Sequence, residues 1–206
     1  MKLVLVRHGR PDEEDDLRPH DPGLRVDGLQ QAEAVAELLA RERITHIVAS
    51  PLTRAAQTAQ PLARRLGLPV HTIDGWAEAD RHTSRYRSTE TLRALGKTEW
   101  TRFLEDPIAY LGGDSGAFRA QVLQALDETI ELGAGGQVAV FTHGLPINVV
   151  LSHTLGLEKI VHFQPGYGSV SRLRILPAPR RIGVVSVNES GHHLPVAAPT
   201  PDLAPP

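Results

Sequence analysis

The 206-residue chain contains no cysteine, which excludes disulfides, thiolate catalysis and cysteine-based zinc sites. Its formal net charge is only −2, so it lacks the positive field with which proteins attract nucleic acid or anionic lipid. It also lacks an apolar run near the length of a membrane-spanning helix, and the run after Lys2 is too short for a signal peptide. We therefore expect a cytoplasmic protein that binds neither nucleic acid nor membranes.

The composition that remains is that of a globular protein, with 41% hydrophobic and 22% charged residues. The length suits one domain with a sizeable core, which we place over residues 1–194. Residues 195–206 are rich in proline and alanine, and we expect them to form a disordered tail. The oligomeric state stays open, with a homodimer as one option.

Apolar patterns with the periods of strands and of helices alternate along the chain. They predict strands at 3–6, 44–49, 70–73 and 137–142, helices at 26–41, 52–66, 91–104, 116–132 and 145–155, and an antiparallel pair at 169–176 and 182–187. This alternation predicts an α/β fold, a three-layer α/β/α sandwich with a mainly parallel central sheet and an antiparallel edge. Ser50 is the predicted N-cap of the second helix, with Pro51 at its first position.

Nitrogen-rich side chains follow three of the predicted strands. Arg7 and His8 end the first strand, Arg54 follows the second, and His143 follows the strand at 137–142. Parallel strands would bring these residues to one edge of the sheet, where open α/β sheets bind ligands. Two arginines and two histidines suit an oxyanion, and phosphate has the right size.

Two other interpretations of these histidines exist. Each is followed by glycine, and with ten histidines and eighteen glycines one His-Gly step is expected roughly by composition alone. Histidine is also a common metal ligand. Neighbouring arginines disfavour a divalent cation, and no His-x-x-x-His pair occurs, so we expect no metal site.

Three segments carry a resemblance to a known family. Residues 5–9, Leu-Val-Arg-His-Gly, resemble the signature around the nucleophilic histidine of the histidine phosphatase superfamily, which includes the cofactor-dependent phosphoglycerate mutases. Residues 49–59 resemble the family's second motif, and residues 142–144 resemble the motif with its second catalytic histidine. The resemblance covers residues 2–194 and implies a phosphoglycerate mutase-like fold.

The resemblance also implies roles for the residues that match. His8 would accept the phosphoryl group, and Arg7, Arg54 and His143 would clamp its oxygens. Gly144 and Arg10 are assigned with them to substrate binding, and no cofactor or metal is implied. A neutral His8 imidazole must face the phosphorus, and a backbone carbonyl bonded to its other nitrogen would fix that tautomer.

The leaving alkoxide needs a proton donor, which the family takes from a glutamate after the third strand. Glu78 fits this position best, and Asp80 is the second choice. Trp76 and the phosphate could raise the pKa of such an acid. Glu78 could instead be an ordinary exposed loop carboxylate.

Residues after the first motif favour one branch of the family. Mutases there have Glu-Ser-x-x-Asn, whereas this chain has Arg10, Pro11, Asp12 and Glu13. We therefore expect a metal-independent phosphomonoesterase acting on a small phosphorylated metabolite; a phosphoglycerate mutase or a non-catalytic phospho-ligand-binding protein is the alternative. Residues 81–87 are either a lid that recognises extra negative charge or a solvated loop, and the acidic run 12–16 is expected to be solvated surface.

Overall fold

The computed structural model describes residues 1–177 and 179–193 of the chain. Its six-stranded sheet has the order β3-β2-β4-β1-β5-β6 and is built from β1 (Lys2–Arg7), β2 (His46–Ala49), β3 (Val70–Thr72), β4 (Gln137–Thr142), β5 (Val170–Pro177) and β6 (Arg180–Glu189). The first four strands are parallel, β5 runs antiparallel to β1, and β6 runs antiparallel to β5. The predicted mainly parallel sheet with an antiparallel edge is confirmed. The predicted disordered tail lies outside the described residues.

Seven α-helices are found in the described part of the chain: α1 (Val26–Ala40), α2 (Thr53–Leu66), α3 (Thr89–Ala94), α4 (Lys97–Glu105), α5 (Pro107–Tyr110), α6 (Ser115–Gly133) and α7 (Gly144–Leu155). The segment between β3 and α6 that carries α3 to α5, residues 79–111, is called the cap below. Within residues 1–177 and 179–193, no helix combines the length and apolar character needed to cross a bilayer.

Alternating side chains of the central strand β1 show the three layers. Leu3 and Leu5 are fully buried in a cluster with side chains of α6 and α7, and Val4 and Val6 are buried in a second cluster with side chains of α1 and α2. Successive strand residues point to opposite faces of a sheet, so both faces are covered by helices. The predicted α/β/α sandwich is confirmed.

Two local predictions are wrong. The helix expected over 91–104 is split into α3 and α4 because Gly96 adopts a φ of +111°, which interrupts the helical backbone. Ser50 does not cap the second helix: Leu52 occupies the N-cap position and makes no side-chain capping bond. The Ser50 hydroxyl is used elsewhere, as the site below shows.

Candidate active site

The register of the sheet places the two histidines of the strand ends beside each other. Arg7 at the end of β1 pairs with Thr142 at the end of β4, so the next residues of both strands leave the sheet together. The His8 N–H donates to the Thr142 carbonyl at 2.9 Å, and the imidazole centroids of His8 and His143 are 5.0 Å apart. Both histidines are buried.

The His8 ring is held in one tautomer. Its Nδ1 lies 2.8 Å from the Gly9 carbonyl oxygen, which only accepts hydrogen bonds, so the ring proton is on Nδ1 and the lone pair on Nε2. Burial, followed by the charges of Arg54 and Arg7, holds the pKa of His8 well below its ordinary value. The imidazole is therefore neutral at neutral pH, with Nε2 available as a nucleophile.

The His143 ring is held by Ser50, which directly follows β2, the parallel neighbour of β4. Its Nε2 is 2.7 Å from the Ser50 hydroxyl oxygen, which also accepts a hydrogen bond from the Leu52 N–H at 3.2 Å. If Ser50 donates its hydroxyl proton to Nε2, the imidazole proton of His143 is on Nδ1 and can be donated to a ligand. Burial is the main cause that lowers the pKa of His143 well below its ordinary value.

Each of the two site arginines is held by a hydrogen bond and by an aromatic ring. Arg54 is fully buried, and its Nη2 donates to both Asp80 carboxylate oxygens, at 2.9 and 3.2 Å, while its guanidinium carbon lies 4.5 Å from the centroid of the Tyr86 ring. Arg7 Nη1 donates to the Pro165 carbonyl at 2.6 Å, and the Arg7 guanidinium lies 4.1 Å from the Tyr167 centroid. Such contacts fix the orientation of the guanidinium groups.

Several nitrogens of these residues lack a hydrogen-bond partner, although one of them, Arg54 Nη1, lies 3.6 Å from an Asp21 carboxylate oxygen. Among the described residues, Arg7 Nε, Arg54 Nε, Arg54 Nη1 and His143 Nδ1 are buried without a hydrogen-bond partner. Buried polar atoms nearly always have a partner, so this concentration in one site needs a physical reason. An oxyanion such as a phosphoryl group would supply acceptor oxygens to these nitrogens.

Glu78 is half-buried and accepts two backbone hydrogen bonds, from Ala79 N–H at 3.1 Å and from Leu145 N–H at 3.2 Å. Burial and then the nearby negative charge of Asp80 raise the pKa of Glu78 to about 7. Trp76 helps to position Glu78. Its backbone carbonyl accepts a hydrogen bond from the Thr142 hydroxyl at 2.7 Å, which attaches the segment around Glu78 to β4. The carboxyl group can therefore be either an acid or a base near neutral pH.

A cavity of about 590 Å³ opens between these residues and the cap. Arg7, His8, Glu78 and Gly144 line it, whereas Arg54 and His143 are completely buried beside lining residues. Within the described residues, no group of three or more histidine, cysteine, aspartate or glutamate side chains could hold a metal ion.

The structure does not bring Arg10 into the cavity. This exposed side chain forms an ion pair with Asp27 at 3.4 Å and is not among the residues that line the cavity. Asp80, the second choice for the acid, lines the cavity and also forms the ion pair with Arg54. The sequence reasoning missed Tyr167, which lies in the loop before β5 and whose ring is 5.6 Å from that of His8.

The acidic run is only partly solvated surface. Glu13 Oε2 accepts the Ser88 N–H at 3.2 Å and the Thr91 hydroxyl at 2.8 Å, and Asp16 pairs with Arg85 at 2.6 Å. These carboxylates therefore tether the cap to the loop after β1. Charge complementarity between residues 12–16 and 81–87 indicates the pair of Asp16 with Arg85, but no charge marks the partners of Glu13 in the sequence.

Some residues of the loop 81–87 line the cavity, and others pair with acidic side chains. Arg85 and Tyr86 line the cavity, but Arg81 does not, and its guanidinium lies 3.5 Å from the Asp74 carboxylate. Two of the cations proposed to attract a second anion are thus already paired with acidic residues of the same chain.

Comparison with known proteins agrees with this site. Residues 3–189 match the histidine phosphatase superfamily (branch 1). The chain belongs to this superfamily. It is 31% identical over 170 residues to a probable phosphoglycerate mutase of Yersinia enterocolitica, with 76% of each chain covered.

Solved structures of two phosphatases share its fold. A phosphoserine phosphatase of Entamoeba histolytica, in complex with 3-phosphoglyceric acid, superposes with a TM-score of 0.73 at 26% identity, covering 94% of this chain and 99% of the other. A mycobacterial glucosyl-3-phosphoglycerate phosphatase superposes with a TM-score of 0.76 at 24% identity, covering 92% and 99%, which shows a common fold. This histidine phosphatase thus has both mutase-named and phosphatase-named relatives.

Proposed function

We propose that this histidine phosphatase is a metal-independent phosphomonoesterase that hydrolyses a small phosphorylated metabolite through a phosphohistidine on His8. One observation carries the proposal: a neutral His8, with its Nε2 lone pair free, lies among four buried nitrogens that lack hydrogen-bond partners in the described chain. Phosphoryl transfer depends mainly on positioning and charge stabilisation, which these groups supply.

The first chemical step transfers the phosphoryl group to His8. The Nε2 lone pair attacks phosphorus, the bond to the leaving oxygen breaks, and the protonated Glu78 carboxyl gives its proton to that oxygen. The guanidinium groups of Arg7 and Arg54, with His143, hold the three remaining phosphoryl oxygens during the transfer. The alcohol then leaves through the cavity.

The second step returns the enzyme to its starting state. Water attacks the phosphorus of phospho-His8 while the Glu78 carboxylate takes one of its protons. The P–N bond breaks, its electron pair returns to Nε2, and inorganic phosphate is released. Glu78 is again protonated, so one residue serves both steps, as its pKa of about 7 permits.

Hydrolysis is favoured over mutase chemistry by the loop after β1. Residues 10–14 stand where mutases have Glu-Ser-x-x-Asn, and none of them is among the residues that line the cavity. Pro11 instead pairs with Leu24, and Glu13 bonds to the cap. The phosphoserine phosphatase similarity supports hydrolysis, whereas the name of the Yersinia relative supports a mutase as the second candidate.

The decisive variant is His8→Ala, with the exposed His153→Ala as its matched control. We expect His8→Ala to lose about 10³-fold or more of para-nitrophenyl phosphate hydrolysis, and to take up no label from a phosphodonor, because the nucleophile is gone. His153→Ala should retain both properties. Full activity of His8→Ala would contradict the proposal.

Assays of the wild-type protein separate the alternatives. Bisphosphate-stimulated isomerisation of phosphoglycerate, faster than hydrolysis, would identify a mutase. Tight phosphate binding without turnover across a broad panel of phosphomonoesters would identify a non-catalytic binding protein.

A further inference from the structure

The cavity extends well beyond the residues that handle the phosphoryl group. At about 590 Å³ it is several times larger than one phosphate needs and lies in the range of pockets that enclose whole small molecules. Its far wall is formed by the cap and by the loop 161–166. Whatever is attached to the phosphate must therefore lie against this wall.

The far wall is unusually aromatic for this chain, in which aromatic residues make up only 4%. Trp100 and Phe103 stack with their ring centroids 5.5 Å apart, and Tyr110 meets Phe103 edge-on at 5.8 Å. Phe103 is buried, whereas Trp100 and Tyr110 keep part of their surface open to the cavity. The apolar side chains that complete this wall are Leu92, Leu111, Leu145, Val161 and Phe163.

Most arginines of the same wall already have partners within the chain. Arg102 pairs with Glu99 at 3.0 Å, and Arg85 pairs with Asp16 at 2.6 Å. Arg93 donates to the Gln164 side chain at 3.0 Å and lies 4.6 Å from the centroid of an aromatic ring of the wall, that of Trp100. Arg87, the remaining cation, is exposed, and solvent weakens charge recognition there.

We propose that Trp100, Phe103 and Tyr110 form a leaving-group subsite that selects phosphomonoesters whose alcohol part carries an aromatic ring. This proposal rests on the function proposed above and names its substrate class. An aromatic ring gains from apolar burial and from stacking on neighbouring rings, whereas a short polar alcohol leaves the wall without a partner. The subsite discriminates against metabolites with a short polar alcohol part, such as phosphoglycerate.

Binding of phosphonates tests the subsite without turnover, because a carbon atom replaces the ester oxygen and the resulting C–P bond is not hydrolysed. Calorimetric titration would compare naphthylmethylphosphonate, methylphosphonate and 3-phosphonopropionate on the wild-type protein. We expect the naphthyl compound to bind about tenfold or more tightly than methylphosphonate, from the area and stacking of one buried ring. The same preference should appear in kcat/KM for naphthylmethyl phosphate over glycerol phosphate, since both esters release a primary alcohol.

Variants connect the preference to the aromatic wall. Trp100→Ala should reduce the naphthyl preference about fivefold without weakening methylphosphonate binding, and Trp100→Phe should retain most of it. Leu95→Ala is the matched control, since Leu95 is exposed on the same cap and does not line the cavity. It should leave both affinities unchanged.

The outcomes separate this proposal from the one on which it rests. Equal binding of the naphthyl and methyl compounds, or a Trp100→Ala variant with an unchanged preference, would overturn the subsite while leaving the phosphatase intact. Tightest binding of 3-phosphonopropionate would overturn it in favour of charge recognition by the cap arginines. No binding of any phosphonate would overturn the phosphate site and, with it, the subsite.

Discussion

Glu78 is held between its two protonation states by opposing contacts. Burial and the charge of Asp80 favour the protonated acid, whereas the N–H groups of Leu145 and Ala79 and the charge of Arg54 favour the carboxylate. The resulting pKa of about 7 lets the same group donate a proton in one step and accept one in the next. A carboxylate in open solvent would be ionised at neutral pH and could not act as the acid.

Replacement of Glu78 by glutamine keeps the shape of the side chain but removes the proton donor. For an alkyl phosphate, whose alkoxide leaves poorly, we expect kcat/KM, which reports the first step, to fall about 10²- to 10⁴-fold. For para-nitrophenyl phosphate the loss should be smaller, because its leaving group needs no proton. Steady-state kinetics of Glu78→Gln on both substrates measures this difference.

The pH dependence gives a second measure of the same group. With alkyl phosphates, the wild-type rate should fall as pH rises through about 7, since the acid form of Glu78 is lost. Glu78→Gln should lack this limb. Asp74→Asn, a change at an exposed carboxylate of the neighbouring turn, is the control and should keep the wild-type profile. A wild-type profile in Glu78→Gln would mean that another group supplies the proton.

The cap is attached to the rest of the fold in two ways: Ile108 of α5 is buried in the same core cluster as Leu3 and Leu5, and polar contacts hold the start of α3. Its helices α3, α4 and α5 are short, and Gly96 and Pro107 interrupt them. Short helices are marginal by themselves, so the position of the cap depends on what holds it. Glu13 accepts two hydrogen bonds from the start of α3, one from the Ser88 backbone and one from the Thr91 hydroxyl.

Removal of this tether should loosen the cap without touching the phosphate site. We expect Glu13→Ala to raise KM several-fold with a smaller change in kcat, and to expose the arginines of the cap to faster cleavage by trypsin. Glu14→Ala, a change at the exposed neighbouring carboxylate, is the matched control. Identical KM values and digestion rates for the two variants would show that Glu13 does not hold the cap.

The elements also show what a sequence can and cannot predict. The strand ends could be predicted because buried strands are continuous apolar runs in the sequence. The two histidines of the site directly follow such runs, His8 after β1 and His143 after β4. Ser50 was misassigned because an N-cap is a local rule, whereas its bond to His143 depends on the pairing of β2 with β4. Tyr167 carried no local signal, since its contact with Arg7 spans 160 positions of the chain.

Folding of the chain buries several titratable groups of the site together. Burial lowers the pKa of His8 and His143 well below 6.5. Just below pH 6.5 each histidine is therefore protonated in the unfolded chain but still neutral in the folded protein. Their contribution to stability is complete above pH 6.5 and is lost as pH falls below it. Glu78 opposes them: its pKa rises from 4.5 to about 7 on folding, so the folded protein takes up its proton first and gains stability as pH falls through this window.

Between pH 6.5 and 4.5 two histidine protons favour the unfolded state and one glutamate proton favours the folded state. We therefore expect the free energy of unfolding to fall on acidification through the combined effect of these three groups. His8→Gln should make this slope shallower, because one histidine proton that favours the unfolded state is removed, and Glu78→Gln should make it steeper, because the opposing proton is removed. Titratable groups outside the site contribute equally to each variant, so differences between variants report on the site. Urea denaturation at pH 6.5, 5.5 and 4.5 measures the slopes, with the exposed His153→Gln as the control. A His8→Gln variant with the slope of the wild-type protein would show that His8 is not held neutral in the folded state.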